Sequence, residues 1–237
     1  MKTRFSHPLS QVVLTSILLV AVSIACTYKS AGSPPPRNDR AEDQPPVQTN
    51  NASPQERPPC TLTLAGAPNI KGLRLGMTTD EALLLFPGSK NDPAVRSDLD
   101  RPPSRFGTSS FGLSPNKYES KEKFTGVNQL MFRLLDGRVS SLRISYNGPA
   151  YAHVDSFIAK LAAETNLPGS DPGSDQWEVY VGMDNQLKTL RCKEFEVQAF
   201  VGGQGGNLNY VEMKDLIADK QLKDRRDKAR AQATRSP

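Results

Sequence analysis

The chain has 237 residues, 37% of them hydrophobic, and a formal net charge of +5. Its two histidines, His7 and His153, exclude a multi-histidine metal centre and leave little for Ser-His or Cys-His catalysis. Lys2 and Arg4 account for two of the positive charges and the segment from Lys214 onward for a net four, so residues 26–213 stand near −1, which excludes a basic nucleic-acid-binding body.

Residues 1–25 read as a signal peptide. A cationic start, Lys2 and Arg4, precedes an apolar run from Val12 to Ala25 broken only by Thr15, Ser16 and Ser23. At about 14 residues the run is shorter than the roughly 20 that a membrane span needs, so it is set aside from the fold. Ile24-Ala25-Cys26 resembles the lipobox of bacterial lipoproteins, with Ser23 where that pattern usually carries Leu, Val or Ile. The resemblance implies cleavage before Cys26, acylation of Cys26 and attachment to a membrane through several acyl chains. Each buried methylene contributes about 0.8 kcal/mol, so several chains hold firmly. Thr27 after the cysteine, in place of Asp, implies the outer membrane, with the body facing the periplasm. The bland alternative is a secreted protein cut near Ala25.

Residues 26–59 form a linker. Pro34-Pro35-Pro36, Pro45-Pro46, Pro54 and Pro58-Pro59 alternate with polar residues, and little is present to bury. Such a chain extends at about 3.1 Å per residue and spaces a domain off a surface by up to about 100 Å. Asn51-Ala-Ser fits a glycosylation sequon by pattern alone.

Residues 60–216 are the expected domain. Cys60 opens it and Cys192 lies in a late strand; with Cys26 lipidated, an exported chain leaves these two to form a disulfide. Thr61 to Leu64 reads as a short edge strand. Thr78 and Glu81 have capping-box spacing, which predicts a helix ended by Pro87-Gly88, with Ala82, Leu85 and Phe86 on one face. Residues 88–126 read as a long loop with a strand near Phe106 to Leu113. Alternation in Leu130, Phe132, Leu134 and in Leu142, Ile144, Tyr146 predicts a hairpin around Asp136-Gly137. A two-residue turn would split the apolar faces, so a three-residue loop, Leu135-Asp136-Gly137, pairing Leu130 with Leu142 is expected. Val154, Phe157, Ile158 and Leu161 predict an amphipathic helix. Strands follow at Trp177–Val181, Leu190–Cys192, Phe195–Val201 and Leu208–Met213. The fold expected is α+β: a two-layer sandwich, mostly antiparallel, with two helices packed on one face. Residues 217–237 read as a basic polar tail, solvated as a fraying helix or touching acidic headgroups.

Gly76, Met77, Thr78 and Glu81 resemble the "G-M-T-x-E-E-V" entry of SmpA/OmlA-type outer-membrane assembly lipoproteins, and the stretch is similar to the β-lactamase-inhibitor-protein architecture. The resemblance implies a non-enzymatic, protein-binding α+β domain.

No cofactor or metal motif stands out. Gly202–Gly206 lacks the lysine of a phosphate-binding loop. His153 reads as a helix-end residue and Trp177 as core. Asp80, Asp98 and Asp100 read as solvated charges, and Tyr118 with Phe124 as a weak contact patch around Lys121-Glu122-Lys123. The reading that follows is an envelope lipoprotein, not an enzyme, whose body binds a protein partner in the envelope and no nucleic acid. A small-ligand or glycan-binding lipoprotein is the alternative, and a hydrolase using two convergent carboxylates comes third.

Overall fold

The computed structural model describes residues 59–169, 176–180, 186–203 and 207–234. The leader, Cys26 and the Pro-rich linker up to residue 58 lie outside the described residues. Among the described residues seven strands form one sheet: β1 Thr108–Leu113, β2 Val127–Leu135, β3 Arg138–Asn147, β4 Trp177–Val179, β5 Leu187–Arg191, β6 Phe195–Gly202 and β7 Leu208–Asp215. Their order is β1-β2-β3-β7-β6-β5-β4, and every neighbouring pair is antiparallel. The fold is α+β with four α-helices among the described residues: α1 Thr79–Leu84, α2 Pro93–Leu99, α3 Val154–Glu164 and α4 Leu216–Ala233.

Period-two alternation explains the sheet. Side chains of successive residues point to opposite faces, so registered strands line up in rows. One row runs Phe111, Phe132, Leu142, Met213, Val197, Leu190 and Trp177, one residue from each strand, all buried. The next holds Leu113, Leu130, Ile144, Val211, Ala199 and Lys188 and ends on the exposed Val179 of the edge strand. The Lys188 ammonium leaves this apolar row for Asp155 on α3, at 2.6 Å. Val154, Phe157, Ile158 and Leu161 of α3 are all buried, and α3 packs against β6.

The β2–β3 hairpin differs from expectation in an instructive way. Leu135 pairs with Arg138, so the turn has two residues, not three. Asp136 (φ 51°) and Gly137 (φ 76°) both take the left-handed conformation that a type I′ turn requires. Left alone, that turn would split the apolar faces. The register slips between Leu134↔Val139 and Arg133↔Ser141, leaving Ser140 as an extra residue. This bulge restores Phe132 opposite Leu142 and Leu130 opposite Ile144. Keeping one greasy face is the right requirement; a bulge meets it, rather than a longer loop.

Other expectations are corrected. Thr61 to Leu64 is no strand: Leu64–Gly66 is a 3-10 turn, and Cys60 makes an isolated parallel bridge with Cys192. Residues 88–126 are more ordered than a loop. Besides β1, they hold 3-10 turns at Ser89–Asn91, Pro115–Lys117 and Glu119–Glu122, and the helix α2. Asp92 caps α2 by accepting from the Ala94 amide at 2.8 Å, and Pro93 occupies its first turn, where a missing N–H costs nothing. The C-terminal stretch, for which a solvated helix is one of the readings, is an 18-residue helix capped by Asp215, whose Oδ1 accepts from the Ile217 and Ala218 amides.

The capping box is present: the Glu81 amide donates to Thr78 Oγ1 at 3.2 Å and the Thr78 amide to Glu81 Oε2 at 2.7 Å. Ala82, Leu83 and Phe86 are buried while Leu85 is only partly covered, so the inward face is turned slightly from the expected set. Cys60 and Cys192 form a disulfide with their Cα atoms 4.5 Å apart, closing a loop across a separation of 132 residues.

Candidate functional site

The polar face of the sheet carries the groups that can bind something. Its rows follow from the same register. Along one row, Ser110, Arg133, Ser141, Lys214, Glu196 and Arg191 stand side by side on six strands. The next row places Met131, Arg143, Glu212 and Gln198 together. A third sets Ser145, Tyr210, Phe200 and Leu187 in line.

Arg143 is the hub. Its Nε and Nη2 both donate to Glu212 Oε2, Nε at 2.9 Å, while Ser141 Oγ donates to Oε1 at 3.1 Å. Its guanidinium also lies 4.6 Å from the centre of the Tyr210 ring, and Tyr210 stacks on Phe200 at 4.9 Å. Burial pushes the Glu212 carboxyl up, but the hydrogen bonds and charge of Arg143 and the Ser141 hydroxyl outweigh it and hold the carboxyl below its ordinary value. Burial raises the Tyr210 phenol, with Arg143 opposing and Glu212 assisting. Glu196 is similarly occupied, accepting from Arg191 at 2.7 Å and from Gln198 at 3.1 Å.

Two glycines make room for the large side chains on this face. A Cβ at Gly112 would sit 2.7 Å from Met131 Sδ, and one at Gly202 would sit 2.4 Å from the Phe200 ring. Met131, 40% exposed, stands opposite Arg143, and Leu208, 53% exposed, lies two residues along β7 from Tyr210.

Helix α4 walls one end of the face. It has no buried residue; between Ile217 and Thr234 only Ala218, Leu222, Arg225 and Ala229 are partly covered. Arg225 clamps it. Nη1 donates to the Phe106 carbonyl (2.8 Å) and Asp136 Oδ1 (3.0 Å), and Nη2 to Asp136 Oδ2 (2.6 Å). The Arg225 hydrogen bonds lower the Asp136 carboxyl below its usual range. Between α4 and the sheet lies an open groove of about 570 Å³.

The residues singled out from sequence scatter. Cys26 lies outside the described residues, as do positions 204–206 of the glycine cluster. His153 is the N-cap residue of α3. Glu81 serves the capping box and Asp80 pairs with Lys90 at 2.6 Å. Asp98 lies 3.8 Å from Arg101 and accepts from the Gly112 amide at 3.4 Å. Trp177 is buried and its Nε1 donates to the Pro168 carbonyl at 2.9 Å. Tyr118 and Phe124 form no exposed patch: both are buried against Phe86, and Tyr118 donates to Asp92 at 3.0 Å. Burial with that bond pushes the Tyr118 phenol up to about 12.

Arg143, Glu212, Tyr210 and Phe200 were not anticipated. The signal for the first three is the polar half of the alternation in β3 and β7, Ser141-Arg143-Ser145 and Tyr210-Glu212-Lys214, while Phe200 lies in β6, where it alternates with the buried Ala199 and Val201. Among the described residues there is no group of three or more His, Cys, Asp or Glu able to hold a metal, and no helix long and apolar enough to cross a membrane. No protein-family model, no curated protein and no solved structure matches this chain.

Proposed function

We propose that the protein is a bacterial envelope lipoprotein, anchored through acyl chains on Cys26. It faces the periplasm from the outer membrane, and its body binds a protein partner without catalysis. The lipobox-like Ile24-Ala25-Cys26 and the Pro-rich spacer support the anchoring. The Gly76, Met77, Thr78 and Glu81 resemblance to SmpA/OmlA-type lipoproteins supports the class. We also place α1 and α3 together on the apolar face as the second layer of a sandwich. Their buried residues belong to one cluster with the apolar rows.

One observation carries the binding reading: the Arg143–Tyr210–Phe200 cluster on the polar sheet face, with half-exposed Met131 opposite Arg143 and half-exposed Leu208 two residues along β7 from Tyr210. Tyr and Arg are enriched at protein interfaces, where a rigid aromatic flanked by apolar contacts anchors a partner. Photocrosslinkers placed at Met131 and Leu208 in intact membranes should trap one defined adduct, absent when the crosslinker sits at Leu84, and Arg143→Ala should abolish it. Equal labelling at all three positions would end the reading.

The alternative, a small-ligand or glycan-binding lipoprotein, is favoured by the groove beneath α4, whose size falls within the range of small-molecule sites.

A further inference from the structure

Two cations stand apart from the ion pairs of the polar face. Arg143 is tied to Glu212, and Arg191 to Glu196. Arg133 and Lys214, in the same row as Arg191, have no carboxylate within 4.0 Å among the described residues. They are two strands apart with Ser141 between them, so their backbones stand about 10 Å apart at ordinary strand spacing. Both line the floor of the groove, and Arg226 lines it from α4. Arg226 also has no carboxylate within 4.0 Å among the described residues; its guanidinium lies 6.0 Å from the Phe106 ring.

The groove holds three aspartates as well. Asp215 is engaged as the cap of α4, and Asp98 faces Arg101 and the Gly112 amide. Asp219 is within 4.0 Å of none of the three cations. Ser104, Ser110 and Ser140 also line it, Ser104 Oγ sharing a hydrogen bond with Thr108 Oγ1 at 2.6 Å and Ser140 Oγ donating to the Arg133 carbonyl at 3.2 Å. Three cations with no carboxylate within 4.0 Å, of which Arg133 also acts at longer range on Glu212, converge on a concave, hydroxyl-lined floor and concentrate positive potential where a small anion can enter.

We propose that this groove is a binding site for an oxyanion, a phosphate or carboxylate group carried on a polar body, held by Arg133, Lys214 and Arg226. Charge-assisted hydrogen bonds from the two arginines orient the group, and the serines bind hydroxyls beside it. The groove adjoins the Arg143–Tyr210–Phe200 surface through Ser141, which lines it and donates to Glu212, but Arg133, Lys214 and Arg226 form no ion pair with that surface, so the Arg143 and Arg133 variants test the two separately.

The test titrates the full-length protein at low salt with three probes read by calorimetry and NMR, the soluble anions in detergent and the vesicles after the detergent has been removed. They are inorganic phosphate, glucuronate, and vesicles of phosphatidylglycerol against vesicles of phosphatidylcholine. Saturable binding of phosphate or glucuronate is expected, weakened about tenfold by Arg133→Gln or Lys214→Gln and left intact by Lys228→Gln on the outer side of α4. Binding of the phosphatidylglycerol vesicles alone, lost in the same two variants, would identify a lipid headgroup as the source of the anion. Failure of all three probes would overturn the proposal, as would binding that Arg133→Gln, Lys214→Gln and Arg226→Gln leave unchanged. Arg133 and Arg226 are exposed, so their variants keep the fold, checked by circular dichroism.

Discussion

Glu212 shows how one residue can be both well held and costly to remove. Its side chain is 10% exposed, and three hydrogen bonds, two from Arg143 and one from Ser141, satisfy it. Because its folded carboxyl titrates below its ordinary value, it stabilises the fold at neutral pH. That contribution is fully present above the ordinary glutamate range and fades as pH falls through the lowered folded value. Denaturant midpoints of the wild type and Glu212→Gln, measured from pH 7 to pH 3, should differ most at the neutral end and converge in acid. A constant difference across that range would contradict the assignment. Arg143→Leu is predicted to cost more, about 2–3 kcal/mol at pH 7 by chemical denaturation, because it leaves a buried carboxylate without its cation.

Two devices at the element scale work against what simpler patterns would build. The β2–β3 hairpin needs a tight I′ turn at Asp136-Gly137 and a bulge at Ser140 together. Deleting Ser140 should push Leu142 and Ile144 to the polar face and abolish cooperative unfolding, seen as loss of near-ultraviolet circular dichroism. Ser140→Ala, which keeps the residue count, should stay within about 0.5 kcal/mol of wild type. Helix α4 depends on a different device. With no buried residue, it is held by the Asp215 cap, a half-covered stripe and the Arg225 clamp over Gly107. Gly107 has φ +82°, and a Cβ there would lie 2.2 Å from Asp136 Oδ1 and 2.8 Å from Arg225 Nη1. Gly107→Ala should therefore open the clamp and cost more than about 1 kcal/mol, with amide exchange rising along α4 and not along α3.

For the whole molecule, the Cys60–Cys192 disulfide ties the start of the domain to the far side of the sheet, across 132 residues. In the chain-entropy account, closing a loop of that length contributes about 5 kcal/mol by restricting the unfolded chain. Equilibrium denaturation with and without reductant should show a loss of that order, matched by the Cys60→Ser, Cys192→Ser double variant. Identical midpoints would mean that the unfolded chain is already compact at that distance.

What could be read directly from sequence is local in character. The Thr78–Glu81 capping box, the inward face of α3 and the alternation in β2, β3 and β6 involve residues within a few positions of each other, and the backbone period is enough to place them. The helix α2 escaped because Pro93 and the surrounding polar residues look like breakers, although Asp92 followed by proline is equally a helix start. Of the candidate site only the polar half of the alternation in β3 and β7 was legible, and not which of its residues meet. Arg143 meets Glu212 at a sequence separation of 69, and Arg225 meets Asp136 at 89. No local period specifies which strand lies beside which. That choice was made by the tertiary structure, because seven half-apolar strands can hide their greasy sides together only in an order that their connections can close, and the polar rows are what that order leaves on the other side.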